Sequence, residues 1–243
     1  SSLNPSMTIR QMFYEMMKVH RLCESGEYER AARDILKRVG MPENALDKYP
    51  SDFSGGQRQR ICIARALMMK PELIIADEPV SALDMSVQAQ IINLLAQLKE
   101  EMNLTMLFIS HDLRVVQYIS DRVMVMYLGR VVEMGRAEDI FQSPAHPYTR
   151  ILMDAAPQIG GRSGEEQTEG IRGEAPGPVH IPVGCPFHPR CPYAREVCGK
   201  RMPEIAVDSR GRMVRCHFPL SPGFRARRAG EPDVFQEPAL EEA

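Results

Sequence analysis

The order of apolar patterns along the chain predicts an α/β fold with a largely parallel sheet, an antiparallel edge and a small separate module near the C-terminal end. Three observations carry this. Leu73–Ala76 and Thr105–Ile109 are short continuous apolar runs, the pattern of strands covered on both faces. A segment of helical period from about Ser86 to Met102 lies between them, which makes a strand–helix–strand unit. From about residue 157 the composition turns to Gly, Pro and Glu, and four of the six cysteines, Cys185, Cys191, Cys198 and Cys216, follow that change.

Taken in order, residues 8 to 39 read as two helices. Thr8 is placed to cap the first, whose apolar positions Ile9, Met12, Phe13, Met16 and Met17 recur at helical spacing. Gly26 separates it from a second helix through Ala31, Ala32, Ile35, Leu36 and Val39, which Gly40 stops. A third helix opens at Ser54-Gly55-Gly56 and runs to the break at Pro71. After the two buried strands comes a short helix, Leu113–Ile119. Arg122–Tyr127 and Arg130–Met134 flank Leu128-Gly129 as a hairpin, and another short helix covers 147–155. These patterns divide the chain into a helical segment at 1–53, the sheet-bearing segment at 54–156, a linker at 157–184, a four-cysteine extension at 185–218 and a disordered tail at 219–243.

Composition excludes several classes. Lys+Arg 30 against Asp+Glu 32 gives a net charge of -2, unlike a protein built to wrap nucleic acid, which is clearly basic. No run of about 18 apolar residues occurs, so no transmembrane helix is expected. The opening Ser1-Ser2-Leu3-Asn4-Pro5 has neither a basic n-region nor an apolar h-region, and reads as lacking a signal peptide. Arg58, Arg60 and Arg65 on the third helix read as a solvated face.

The chemistry lies in four features in fixed order. Ser54-Gly55-Gly56-Gln57 opens a helix, where glycines let backbone N–H groups approach a phosphate at the positive end of the helix dipole. One helix later, Leu73–Ala76 delivers Asp77 and Glu78 at a strand's C-terminal end, where ligands sit in open α/β sheets. One carboxylate can hold Mg²⁺ and the next can orient an attacking water. Ser81-Ala82-Leu83-Asp84 follows, and His111 comes directly after the second strand. Each feature alone is ordinary, being a Ser N-cap, a solvated acidic turn or a lone histidine; their order is what gives them weight.

In these residues the chain resembles the nucleotide-binding subunits of ABC transporters. The resemblance implies a P-loop NTPase-like ABC ATPase core, represented here by its C-terminal half, with a helical subdomain and a small C-terminal Cys-rich extension. Ser54-Gly55-Gly56-Gln57 is the signature, with Phe53 where the family most often has Leu. Leu73–Asp77 is the Walker B strand, Glu78 stands at the catalytic-glutamate position, Ser81–Asp84 is the D-loop and His111 the switch histidine. By resemblance Asp77 helps hold Mg²⁺, Glu78 polarises the hydrolytic water and His111 contacts the γ-phosphate. Ser54, Gly55, Gly56, Gln57 and Asp84 then face ATP held by the opposite subunit of a head-to-tail dimer.

Further stretches resemble the peptide-import branch, which comprises oligopeptide, dipeptide and nickel importers. They are Ser1–Pro5 with Met7-Thr8-Ile9, Val87–Ile91, Tyr127–Glu133 and His146-Pro147-Tyr148-Thr149. Val80–Asp84 and Arg130–Gly135 look more like the second, F-type ATPase of that branch than the first, D-type. The branch implies a heterodimer with a second ATPase subunit, two membrane-spanning permease subunits and, indirectly, an extracellular substrate-binding protein. Location follows as peripheral, on the cytoplasmic face of the cell membrane, with no nucleic-acid partner.

The cysteines are spaced C-x5-C-x6-C, with Cys216 after a longer gap. Four soft thiolates suit Zn²⁺ or an iron–sulfur cluster. Structural zinc favours closer C-x2-4-C pairs, which tilts the reading towards iron–sulfur. The resemblance adds a [4Fe-4S] cluster in some members' C-terminal extensions. Zn²⁺ and four unligated cysteines stand as alternatives, and His188 and His217 read as capping or solvent-facing.

No G-x-x-x-x-G-K-[ST] occurs anywhere in the chain. The phosphate cradle, the Q-loop glutamine and the adenine-stacking aromatic of the family have no counterpart here. The expectation is therefore the C-terminal part of a longer protein, lacking its Walker A part and inactive in isolation. Two other functions share the motifs: a soluble ABC-type ATPase not coupled to transport, and a degenerate metal-binding regulatory subunit.

Overall fold

The computed structural model describes residues 3–155, 177 and 181–226, which fall into two compact units divided between Val115 and Val116. The first unit begins with α1 (Ile9–His20) and α2 (Tyr28–Arg38). Thr8 caps α1 in a capping box: its hydroxyl accepts from Gln11 N–H at 3.2 Å and Gln11 Oε1 accepts from Thr8 N–H at 2.8 Å. Gly40, at φ +70, ends α2 as expected, and Met41 N–H reaches back to the Leu36 carbonyl at 2.9 Å. Ile9, Phe13, Met17, Ala32, Leu36 and Leu46 are buried between these elements. Glu29 ties them from outside, pairing with Arg10 of α1 and with Arg33.

Next come α3 (Gly55–Met68), β1 (Leu73–Asp77), α4 (Met85–Glu101), β2 (Thr105–Ile109) and α5 (Leu113–Ile119). β1 and β2 pair in parallel with Leu73 opposite Thr105 and Asp77 opposite Ile109. Arg58 and Arg60 are not simply solvated. Arg58 donates to the Phe53 carbonyl at 2.6 Å and Arg60 to the Val39 carbonyl at 2.8 Å, so the third helix holds the end of α2.

The second unit differs from expectation. The hairpin β3 (Arg122–Tyr127) and β4 (Arg130–Arg136) forms, turning through Leu128 and Gly129, both at positive φ. It is not the antiparallel edge of the parallel sheet, however. After α6 (Ala137–Gln142), α7 (Pro147–Ala155) and α8 (Glu196–Lys200) come β5 (Ile205–Val207), β6 (Met213–Arg215) and β7 (Arg225–Ala226), and the hairpin joins these in a five-stranded sheet of order β3-β4-β6-β5-β7. β4 pairs antiparallel with β6, Glu133 opposite Val214. The cysteine extension thus completes a sheet rather than hanging from one, and the division between units falls inside 54–156.

The start of the stretch read as a disordered tail is ordered. Leu220 N–H donates to the Ala145 carbonyl at 2.8 Å, Ser221 is buried, and Arg225 and Ala226 pair with β5. Short strands satisfy backbone groups that composition alone leaves open. The rest of that tail, and nearly all of the linker at 157–184, lie outside the described residues.

Candidate functional site

The carboxylates and the histidine meet at one end of the two parallel strands. Directly after β1, Glu78 takes φ +43, a left-handed conformation that non-glycine residues seldom adopt. It is held there by its N–H donating to the Ile109 carbonyl at 3.0 Å, and by its own carbonyl accepting from Ser81 N–H and Oγ at 3.3 and 3.1 Å. With the backbone so turned, Glu78 Oε1 lies 3.1 Å from His111 Nδ1. The two side chains are 50% and 76% exposed, so solvent and ligand can reach both. Asp77 is the adjoining residue in β1 and its backbone registers with Ile109. The same face of the sheet presents Leu73, Ile75, Leu107 and Ile109, all exposed.

The signature residues form a second group. Ser54 and Gln57 make a capping box at the start of α3, Gln57 N–H donating to Ser54 Oγ at 3.3 Å and Ser54 N–H to Gln57 Oε1 at 3.0 Å. Gly56 is buried because α4 passes against it, and a Cβ there would lie 2.3 Å from Val87 Cγ1. Its missing side chain therefore serves close helix packing, beside the backbone access read from sequence. Asp84 caps α4, accepting from Val87 N–H at 3.0 Å and from Ser86 N–H and Oγ at 3.1 and 2.9 Å. The Val87 and Ser86 hydrogen bonds hold its carboxyl below the usual carboxylate range. Among the described residues, Ser54 with Gln57 and Glu78 with His111 are two separate pairs.

The four cysteines converge. Cys185, Cys191, Cys198 and Cys216 line one cavity together with His146, Phe187 and Phe218. Gly184, at φ +77, closes the loop, since a Cβ there would lie 2.4 Å from the Cys198 carbonyl that accepts the Cys185 N–H. Backbone N–H groups face the sulfurs: Phe218 donates to Cys216 Sγ at 3.4 Å and Arg195 to Cys198 Sγ at 3.5 Å. Cys185 and Cys191 receive such bonds from Phe187 and Tyr193, each two residues on. Burial pushes the Cys191 thiol up to about 11 and Cys216 up to about 12, and the neighbouring thiols add to both shifts. Among the described residues, no three His, Cys, Asp or Glu side chains are placed to hold one metal ion. His188 Nδ1 contacts the Cys185 carbonyl at 2.9 Å, and His217 Nε2 the Arg201 carbonyl at 2.8 Å, so both histidines serve backbone groups.

Beside this cavity is a polar cluster that sequence reading missed. Glu133 of β4 is fully buried and accepts from Ala145 N–H and His146 N–H, both at 2.8 Å, just before α7. Buried Arg212 places Nη1 3.9 Å from Glu133 Oε1, and its Nε donates to Asp208 at 3.3 Å. Burial raises the Glu133 pKa against the lowering effect of the two N–H donors. Gly135 leaves room for Arg212, since a Cβ would approach its Cγ to 2.9 Å. Burial also pulls His146 down to about 3, so its ring is neutral. The sequence signal was a charged residue inside the apolar run Val131-Val132-Glu133-Met134.

With this geometry in view, the relatives can be compared. An ABC transporter family model matches residues 1–81, and the model for the oligopeptide/dipeptide transporter C-terminal region matches residues 132–198. The fold is that of an ABC ATPase core. The oligopeptide transport ATP-binding protein AppF of Bacillus subtilis (strain 168) is 48% identical over 220 residues, 90% of this chain and 67% of that protein. A probable peptide ABC transporter ATP-binding protein, y4tS, of Sinorhizobium fredii is 48% identical over 89% of this chain and 61% of its own length. A putative peptide import ATP-binding protein of Brucella ovis is 45% identical over 89% of this chain and 68% of its own. The chain belongs to the oligopeptide/dipeptide branch of ABC transporter ATP-binding subunits. It spans about two thirds of the length of the curated relatives it matches. Among the described residues, no helix is long and apolar enough to cross a membrane.

Proposed function

We propose that this chain is the ATP-hydrolysing subunit that energises a peptide importer, F-type within its branch. The observation that carries the reading is the 3.1 Å contact between Glu78 Oε1 and His111 Nδ1, beside Asp77, at the ends of β1 and β2. Asp77 would hold Mg²⁺. Glu78 would accept the hydrolytic water's hydrogen bond, and His111, oriented by Glu78, would present its other nitrogen to the γ-phosphate. Ser54, Gly55, Gly56, Gln57 and Asp84 would face ATP bound by the partner ATPase. The exposure of Glu78 and His111 fits a half-site closed by another surface. Peptide import is carried over from the relatives' names, while two permeases, a second ATPase subunit and a peripheral position on the cytoplasmic face of the membrane follow from the resemblance to the peptide-import branch.

Co-expression with those three subunits tests the assignment. The chain is expected to co-purify with them, and recovery of the chain free of the permeases would overturn it. In an assembly that supplies a P-loop, Glu78→Gln should lower turnover by about two orders of magnitude or more, the scale set by loss of a general base. Unchanged turnover would remove Glu78 from the mechanism.

The four-thiol cavity supports a [4Fe-4S] cluster over a single zinc ion. Structural zinc favours closer C-x2-4-C pairs than the C-x5-C-x6-C spacing of these cysteines. Backbone N–H groups directed at the sulfurs stabilise negative charge there, as cluster ligation requires. Bound, such a group would supply a soft cross-link and one-electron chemistry. Iron and sulfide analysis of anaerobically purified protein should find about four of each per chain. Zinc alone would refute the cluster.

A further inference from the structure

We propose that His146 donates a hydrogen bond from its Nε2–H to the group that the four cysteines of the cavity hold and so sets that group's electron affinity. The tautomer follows from geometry. Tyr148 N–H donates to His146 Nδ1 at 3.0 Å, and a ring nitrogen that accepts carries no proton, so the proton sits on Nε2. His146 is 1% exposed and lines the cavity, and Nε2 is buried with no hydrogen-bond partner in the protein. Buried polar atoms are nearly always satisfied. None of the four thiol sulfurs accepts from it either, so the acceptor belongs to the group that the cysteines would hold.

Three contacts fix the ring. Glu133 Oε2 accepts the His146 backbone N–H at 2.8 Å, Nδ1 caps the first turn of α7, and the ring lies 5.9 Å from that of Phe187. Arg212 stands behind Glu133. Glu133 is therefore a positioning residue, acting through His146. The same tautomer argues against His146 as a ligand, since Nε2–H offers no lone pair. The cavity then holds four thiolate ligands with one side-chain donor beside them, the arrangement by which hydrogen bonds to sulfur favour the more negatively charged, reduced state.

This inference rests on the cluster reading, and two variants separate them. His146→Asn keeps a short side-chain acceptor for the Tyr148 N–H but withdraws the deep N–H. His146→Gln returns an N–H near the position of Nε2 while sacrificing the cap. The complete chain, purified anaerobically, is assayed for iron and sulfide and titrated with dithionite against redox mediators. Wild type and both variants are expected to carry equal iron. His146→Asn should shift the one-electron equilibrium about tenfold towards the oxidised form, 59 mV lower in midpoint, with His146→Gln lying nearer wild type. Equal potentials in all three would overturn the donor role, as would equal shifts in both variants, which would mark a general packing effect. Iron lost from a folded His146→Asn would make His146 a ligand instead. Wild-type protein without iron would sink the cluster reading itself, and this proposal with it.

Discussion

The two candidate sites are built in opposite ways. At the ends of β1 and β2, Glu78 and His111 are exposed, bonded to each other, and flanked by the exposed Leu73, Ile75, Leu107 and Ile109. In the thiol module, Cys185, Cys198, His146, Glu133 and Arg212 are buried; Glu133 accepts from the backbone of Ala145 and His146, and Arg212 donates to the Asp208 carboxylate and to the Ser143 carbonyl. An exposed pair is free to meet a partner and contributes little to its own fold, as surface ion pairs generally do. A buried network holds its geometry unaided and makes folding depend on it. The contrast predicts that substitutions at the first site spend themselves on activity and those at the second on stability.

The largest effect should come from Glu78→Gln, with turnover down about a hundredfold or more in an assembled transporter and the melting temperature of the chain unmoved. A melting shift of several degrees would show the pair to be structural, and the contrast would fail. Next in size, Arg212→Ala leaves Glu133 buried beside an empty space and should cost about 3–5 kcal/mol, read by urea denaturation. A loss below about 1 kcal/mol would mean that the two N–H donors at Ala145 and His146 suffice for the carboxylate. Gly56→Ala puts a Cβ against Val87 and should cost about 1–3 kcal/mol through overpacking, despite the better helix propensity of alanine. Val87→Ala in the same chain should recover most of that; no recovery would point to backbone rearrangement.

A pH experiment sharpens the contrast further. Burial raises the Cys191 and Cys216 pKa values to about 11 and 12 from an ordinary 9.0. Groups raised on folding stabilise fully below their unfolded values, and that contribution is lost as pH climbs through the folded ones. Metal-free protein should therefore lose stability between about pH 9 and pH 12, measured by denaturation at fixed pH. Cys191→Ser with Cys216→Ser should flatten that slope, and a slope unchanged by both would place its origin elsewhere. Smallest of all, Thr8→Ala removes one half of the α1 capping box and should cost about 1 kcal/mol.

Much of the first unit was legible because its determinants are local. Apolar spacing placed α1 and α2, Thr8 and Gly40 marked their ends, and the runs at Leu73 and Thr105 became strands in parallel register. The motifs also placed Glu78 and His111 at a common strand end, since both follow apolar runs that form strands. Those strands are not covered on both faces as their composition suggested: Leu73, Ile75, Leu107 and Ile109 are exposed. What escaped was non-local. Nothing in the period of Arg130–Arg136 says that its partner strand is Met213–Arg215, so the hairpin was assigned to the wrong sheet. The spacing of the cysteines suggested a common centre but could not supply Gly184's close approach or the histidine beside it. Glu133 could be seen as a charge among apolar neighbours, yet its partners lie 12, 13 and 79 residues away. Gly56 was read for phosphate access, while its contact with Val87 depends on how two helices cross.

The pairing of β4 with β6 bears on how the polypeptide is made. Met134 waits for Met213, so a loop of roughly 80 residues must close before that sheet can form. During synthesis the hairpin emerges first with an unsatisfied edge, and Glu133 is in place well before Arg212. Strand edges left open in this way are where growing chains pair with one another. The C-terminal stretch is thus the closing piece of the second unit, and a chain stopped short of Arg215 would leave the ribosome with its hairpin edge bare.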